Sequence, residues 1–255
     1  MLIVISPAKK LDYTSTLPFE THTEPQFLSE SQTLIDELRH YSVLDLMELM
    51  KLSQKLAELN FSRYEQWRTP FDFKHSRQAL LAFKGDVYAG LNTDTFSPAD
   101  FDFAQQHLRI LSGLYGTLRP LDLMLPYRLE MGSALKTERG KNLYEFWGDT
   151  ITQSLNDTLA TQGDRTLINL ASKEYFKSVR PQRLNGTIIT PIFKEKKDTQ
   201  YKVIGIYAKK ARGLLSAYII RNRLSEANDL KTFEEADYTY QKTLSDKTNW
   251  VFTRG

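Results

Sequence analysis

Met1-Leu2-Ile3-Val4-Ile5-Ser6-Pro7-Ala8-Lys9-Lys10 opens the chain. Leu2 to Ile5 reads as a short buried strand, stopped by Ser6-Pro7. Further strands are predicted over Thr166 to Leu170, Thr187 to Phe193 and Lys202 to Tyr207, with a terminal one over Asn249 to Thr253. Helices fill the middle. Apolar residues recur at helical spacing from Leu28 to Trp67, among them Leu34, Leu38, Leu44, Leu46, Met47, Leu49 and Met50. Ser97-Pro98-Ala99-Asp100 is a helix start, with serine as cap and proline in the first turn, and predicts a helix to about Leu111. Leu143, Phe146, Trp147, Ile151 and Leu155 share one face of a helix between Asn142 and Leu159. A long helix is predicted from Ala208 to Arg223. Strands at both ends around helices predict an α+β (mixed α/β) fold whose sheet joins strands distant in sequence. Without repeats, low-complexity tracts or Gly/Ser linkers, residues 1–255 are expected to form a single compact domain, a mixed sheet surrounded by helices.

The 255 residues are 41% hydrophobic and 25% charged, ordinary globular proportions. The 13 Tyr and 14 Phe point to a large core, with exposed stacking surface as the alternative. Absence of cysteine excludes disulfides, thiolate catalysis, iron–sulfur ligation and cysteine-bound zinc, and fits a reducing compartment. The apolar start is too short for a secretory signal, and no stretch approaches the ~20 apolar residues of a membrane span. A cytoplasmic protein without membrane contact is expected. The net charge of +3 neither demands nor excludes nucleic acid, so what matters is where the cations cluster.

The segment Ile110-Leu111-Ser112-Gly113-Leu114-Tyr115-Gly116-Thr117-Leu118-Arg119-Pro120 places two glycines around two apolar residues, between a predicted helix end and a new helical turn. This is a helix-hairpin-helix-like pattern. Free amides at the start of a second helix can hold a phosphate, and Arg109 and Arg119 flank the turn. Arg109, Gly113, Leu114, Tyr115, Gly116, Thr117 and Arg119 are therefore candidate DNA contacts. A tight turn with glycines for geometry alone is the alternative.

Between Thr199 and Ser225 there is no acidic residue, while Lys202, Lys209, Lys210, Arg212, Arg221 and Arg223 all fall there. On a helix, Ala208, Ala211, Leu214, Leu215, Tyr218 and Ile219 form the core arc, leaving a cationic outer face. Solvated helices usually mix signs three or four residues apart, so an unmixed face suits a polyanion. Lys209, Lys210, Arg212 and Arg223 join the DNA candidates, with a solubilising face as the alternative reading. A second cluster contains Lys173, Lys177, Arg180 and Arg183 around Tyr175 and Phe176; charge interleaved with aromatics suits nucleic acid.

Three polar motifs are candidates for acid–base or phosphate chemistry: Ser6 and Lys9 after the first strand, Lys84 and Asp86 within Phe83-Lys84-Gly85-Asp86-Val87-Tyr88, and Arg128 and Glu130 within Pro126-Tyr127-Arg128-Leu129-Glu130-Met131. None has a spacing that specifies a reaction. His22, His40, His75 and His107 are scattered, so no metal site is expected, and no glycine fingerprint for a nucleotide cofactor is present.

Taken in order, Ile5-Ser6-Pro7-Ala8-Lys9, Phe83 to Tyr88, Leu111 to Gly116, Leu118-Arg119-Pro120-Leu121-Asp122, Pro126 to Met131, Asn169-Leu170-Ala171-Ser172 and Tyr207 to Gly213 resemble the YaaA family of bacterial peroxide stress resistance proteins. Lys10 departs from the pattern, where threonine is expected, and the stretch after Phe233 is the least similar. The resemblance implies a cytoplasmic protein of the oxidative stress response that limits damage linked to free intracellular iron. It also implies DNA binding through a helix-hairpin-helix, to double-stranded, bulged or branched DNA without sequence specificity, and no cofactor. An enzyme of lyase or glycosylase type acting on damaged DNA or nucleotides is the alternative; Ser6, Lys9, Lys84, Asp86, Arg128 and Glu130 would then converge in one pocket. A module whose basic helix meets an acidic protein is a third reading, and predicts no stable complex with DNA.

Overall fold

Residues 2–5 form a strand at the heart of the sheet in a computed structural model that describes residues 1–255. The main sheet has eight strands: β1 (Leu2–Ile5), β2 (Leu108–Ser112), β3 (Gly116–Leu118), β4 (Thr166–Asn169), β5 (Thr187–Lys197), β6 (Gln200–Lys202), β7 (Thr239–Tyr240) and β8 (Asn249–Arg254). Their order is β7-β8-β5-β4-β1-β2-β3, with β6 paired to β5. The pairs β8–β5, β5–β4, β4–β1 and β1–β2 are parallel, while β7, β3 and β6 add antiparallel edges. Ile3 lies opposite Ile168 on one side and Leu108 on the other. A parallel strand covered on both faces has no solvated side to alternate toward, and Leu2 to Ile5 are all fully buried.

The longer helices are α1 (Leu28–Arg39), α2 (Val43–Met50), α3 (Gln54–Gln66), α4 (Asp86–Leu91), α5 (Pro98–His107), α6 (Thr150–Ala160) and α8 (Gly205–Arg221); α7 (Lys173–Phe176) is a single turn. Ser97 caps α5 as its sequence predicts: its Oγ accepts the Asp100 amide, and the Asp100 carboxylate accepts the Ser97 amide at 2.7 Å.

Four expectations are corrected. First, α5 stops at His107, and residues 108–112 are strand β2, because the apolar Leu108, Ile110 and Leu111 are captured by pairing with β1. Second, β6 ends at Lys202, as it is only a short antiparallel return on β5, so α8 enters at Gly205 rather than Ala208. Third, the helix predicted between Asn142 and Leu159 is two helices, Leu143–Trp147 and α6, divided at Gly148 with φ +50°; the five apolar residues named for it are nonetheless all buried. Fourth, Leu44 is 74% exposed, because it lies some 200° around α2 from the buried Leu46.

The core is one continuous cluster of 61 residues. At its edge His107 donates from Nδ1 to the Met1 carbonyl at 2.8 Å and stacks on Phe103 at 4.0 Å between ring centres. Burial, helped by nearby Arg109, lowers its pKa below the ordinary value of about 6.5. The folded state therefore holds His107 neutral where the unfolded chain binds a proton. Its contribution to stability is complete above about pH 6.5 and declines as pH falls toward the lower folded value. Denaturation midpoints measured between pH 7 and pH 5 should fall with acidification, and His107→Gln should flatten that slope.

Candidate functional site

In open parallel sheets the carboxyl ends of the strands face a crevice where ligand groups collect. β1 and β4 are neighbours and deliver Ser6 and Ser172 to that edge. The Ser172 amide donates to Ser6 Oγ at 2.8 Å, and Ser172 Oγ accepts the Tyr175 amide at the start of α7. Tyr88 Oη donates to the Ser6 carbonyl at 3.1 Å. Beyond Ser6 the chain pairs Lys10 with Lys84 and Leu11 with Phe83 in a two-stranded antiparallel ribbon, setting Lys9 and Lys10 beside Lys84. α4 begins two residues later at Asp86, and α8 crosses it backbone to backbone at Gly213, which brings Lys209 and Arg212 to the same edge. The opposite wall is residues 126–131. Tyr64 Oη donates to the Arg128 carbonyl, Tyr127 Oη shares a 2.7 Å hydrogen bond with Ser112 Oγ, and Glu174 accepts the Gly132 amide at 3.0 Å.

These segments enclose a cleft of about 540 Å³ lined by Ser6, Lys9, Lys10, Lys84, Asp86, Tyr88, Tyr127, Arg128, Glu130, Ser172, Glu174, Tyr175, Lys209 and Arg212, among others. The volume is that of a small-molecule site. All six acid–base candidates, Ser6, Lys9, Lys84, Asp86, Arg128 and Glu130, converge here from three separate motifs, and two cations of the acid-free helix join them.

Six of the lining side chains are cationic (three near the ribbon, Arg128, and two on α8) and three are acidic, an excess of three positive charges. Glu130 Oε1 accepts from Arg128 Nε at 3.0 Å and lies 3.3 Å from Lys9 Nζ, while its Oε2 is buried without a hydrogen-bond partner. Lys84 has a loose partner in Asp12 at 3.7 Å. Arg212 is half-buried and pairs with no carboxylate, and burial lowers its pKa. Burial likewise pushes the Tyr88, Tyr127 and Tyr175 phenols well above their ordinary range, so they act here as neutral hydrogen-bonding groups. The arrangement can bind an anion, offer a carboxylate to a donor, and present lysine amines beside that carboxylate.

The glycine hairpin is placed differently from its prediction. No helix-hairpin-helix forms: residues 108–118 are the antiparallel pair β2–β3, with Ser112 opposite Gly116. Gly113, Leu114, Tyr115, Gly116 and Thr117 are all buried, so their amides face the interior instead of solvent. Trp147 Nε1 donates to the Gly113 carbonyl at 2.9 Å, and Gly113 abuts the Leu129 carbonyl, directly behind the wall that carries Arg128 and Glu130. The hairpin therefore buttresses the cleft. Its flanking cations are engaged elsewhere: Arg109 donates to the Gln105 and Leu108 carbonyls, and Arg119 pairs with Asp122 at 2.9 Å. The expected continuous surface of hairpin and basic helix is thus not formed.

Among the other cations, Arg223, two residues past the end of α8, pairs with Asp100 at 2.6 Å and does not line the cleft. Lys210 is exposed but turns off the lining. Lys173 and Lys177 are exposed on and just after α7, next to the lining Ser172 and Glu174, with Lys177 Nζ 4.6 Å over the Tyr144 ring. Reading the sequence missed Tyr88, Tyr127, Ser172, Glu174 and Tyr175 as lining groups. Tyr88 and Tyr127 sit inside the polar motifs already singled out and Tyr175 inside the second basic cluster, which is the available signal. No group of three or more His, Asp or Glu is placed to hold a metal ion.

The sequence model of the family described as peroxide stress protein YaaA matches residues 1–244, which include every residue of the cleft.

Proposed function

The chain belongs to the peroxide stress protein YaaA family, and from that premise we propose that it serves the response by binding DNA through the cationic cleft, contacting the sugar–phosphate backbone without reading base sequence. The observation that carries this reading is the uncompensated positive charge where α8 meets the strand ends, above all Arg212 and Lys209. Lys173 and Lys177, next to the lining Ser172 and Glu174, extend the exposed charge, and Lys210 adds to it on α8. Phosphates are the polyanion such a surface matches, and distorted, bulged or branched DNA bends into a cleft more readily than a straight duplex. The same reading includes protection from damage driven by free intracellular iron.

Fluorescence anisotropy against salt tests it. Affinity should fall steeply with salt and vary less than about threefold between unrelated duplex sequences. Each phosphate contact contributes about 0.9 to the logarithmic slope, so replacing Lys173, Lys177 and Lys209 together with alanine should lower the slope by roughly 2–3 and weaken binding at least tenfold. A slope and affinity equal to the unmodified protein's would remove the cleft as the DNA site.

A second reading is favoured by one specific observation, the convergence of the six acid–base candidates with Lys9 beside Glu130. A lysine amine next to a carboxylate suits lyase or glycosylase chemistry on damaged DNA or nucleotides. Incubation with abasic and oxidised duplexes tests it: strand cleavage or base release supports an enzyme, and intact substrate after hours sets that reading aside.

A further inference from the structure

Two groups in the cleft are left unpaired, and they have opposite needs. Arg212 is half-buried, meets no carboxylate and is desolvated. Leaving a guanidinium there uncompensated is unfavourable unless an anion accompanies it. Glu130 Oε2 is buried with no donor, although its sister oxygen is served twice. As a carboxylate oxygen it can only accept. Lys9, 68% exposed, reaches the other oxygen of this carboxylate at 3.3 Å and is free to move toward solvent.

A ligand that satisfies both groups must bring negative charge to Arg212 and an N–H or O–H to Glu130. Inorganic phosphate brings charge but no base edge, and a paired duplex shows phosphates while the Watson–Crick edges of its bases are occupied. An unpaired nucleotide answers both, since its base presents a free Watson–Crick edge. Tyr88 and Tyr127 line the same cleft, almost wholly buried, and brace it through the Ser6 carbonyl and Ser112 Oγ.

We infer that the cleft holds a single nucleotide unit, its phosphate against Arg212 and Lys209 and its base edge donating to Glu130. The unit can be a free nucleotide or one everted from DNA. The second case rests on the reading of the cleft as the DNA face and predicts a preference for bulged over paired duplex: a bulge has already lost the pairing that eversion must break.

Calorimetric titration of the full chain with deoxynucleoside 5′-monophosphates, the matching nucleosides and inorganic phosphate tests the inference. The monophosphates should bind at least tenfold more tightly than either fragment. Arg212→Met should weaken them tenfold or more. Glu130→Gln should weaken them about fivefold or more while leaving inorganic phosphate unchanged or tighter, a divergence that general loss of structure would not give. If Glu130→Gln does not fold, the ligand series and Arg212→Met still decide. In the DNA arm, a saturating monophosphate should abolish the preference for a one-nucleotide bulge. Monophosphates binding no better than inorganic phosphate would overturn the nucleotide pocket, and DNA binding by the same sample would show that the broader reading survives. Tight monophosphate binding with no DNA complex would sustain the pocket for free nucleotides and overturn the proposed function.

Discussion

Gly213→Ala should lower stability by about 3 kcal/mol and the melting temperature by roughly 6–12 °C. A Cβ on Gly213 would stand 1.9 Å from the Val87 carbonyl oxygen, 2.7 Å from the Leu91 amide nitrogen and 2.9 Å from the Gly90 Cα. All three are backbone atoms of α4, so no side chain can turn aside. The two helices must separate, and the apolar packing of Ala208, Ala211, Leu215 and Leu91, all buried, loosens with them. Alanine is favoured over glycine inside a helix by about 1 kcal/mol, so the loss is net of that gain. Gly205→Ala is the control: nothing lies within 4 Å of a Cβ there, and it opens the same helix. It should leave melting unchanged or slightly raised. Because α8 carries Lys209 and Arg212 while α4 follows Lys84, the Gly213 variant should also bind DNA more weakly per folded molecule. A melting temperature within about 1 °C of the unmodified protein's would contradict the close helix crossing.

The sequence made the central strands legible because their environment is extreme. Leu2 to Ile5, an uninterrupted apolar run, lies beside Thr166 to Asn169 at the middle of a parallel sheet, where both strands are buried along their whole length. Residues 108–112 had no such protection. Leu108, Ile110 and Leu111 satisfy a helical continuation of α5 as well as a strand, and only pairing with Ile3 and Ile5 decides between them. Once that helix was extended, the two glycines that follow became a turn between helices. The candidate site divides in the same way. Ser6, Lys9, Lys84, Asp86, Arg128 and Glu130 stand out as members of three short polar motifs, but what gathers them is long-range: Lys10 opposite Lys84, and Gly213 against α4. Acid-free composition marked α8 as uncompensated. That held for Arg212 and failed for Arg223, whose partner Asp100 lies 123 residues earlier in the chain. Local sequence can report missing neighbours, whereas a distant carboxylate belongs to the fold.

Gly116→Ala separates scaffold from interface and should cost about 2–5 kcal/mol, combining a left-handed backbone at a residue with a Cβ (about 1–2 kcal/mol) with overpacking (about 1–3 kcal/mol). Gly116 has φ +66°, and a Cβ there would lie 2.8 Å and 2.9 Å from two atoms of the Trp147 ring. That ring is fully buried, tied by its Nε1 to the Gly113 carbonyl, and wedged edge-on against Phe27 and Phe146, so it has nowhere to retreat. Melting should fall by roughly 5–15 °C. The two placements of the hairpin then predict different second results. A solvent-facing phosphate loop would lose DNA affinity with little change in stability, because the added methyl would disturb only the approach of the backbone to phosphate. A buried buttress loses stability while the folded fraction, with Lys209, Arg212 and the α7 lysines still in place, keeps its affinity within about twofold, since backbone binding depends on the number of phosphates neutralised. Thermal melts paired with anisotropy titrations well below the melting temperature read both quantities on one sample. Unchanged melting with a large loss of affinity would return the hairpin to the surface and take the DNA site away from the strand ends.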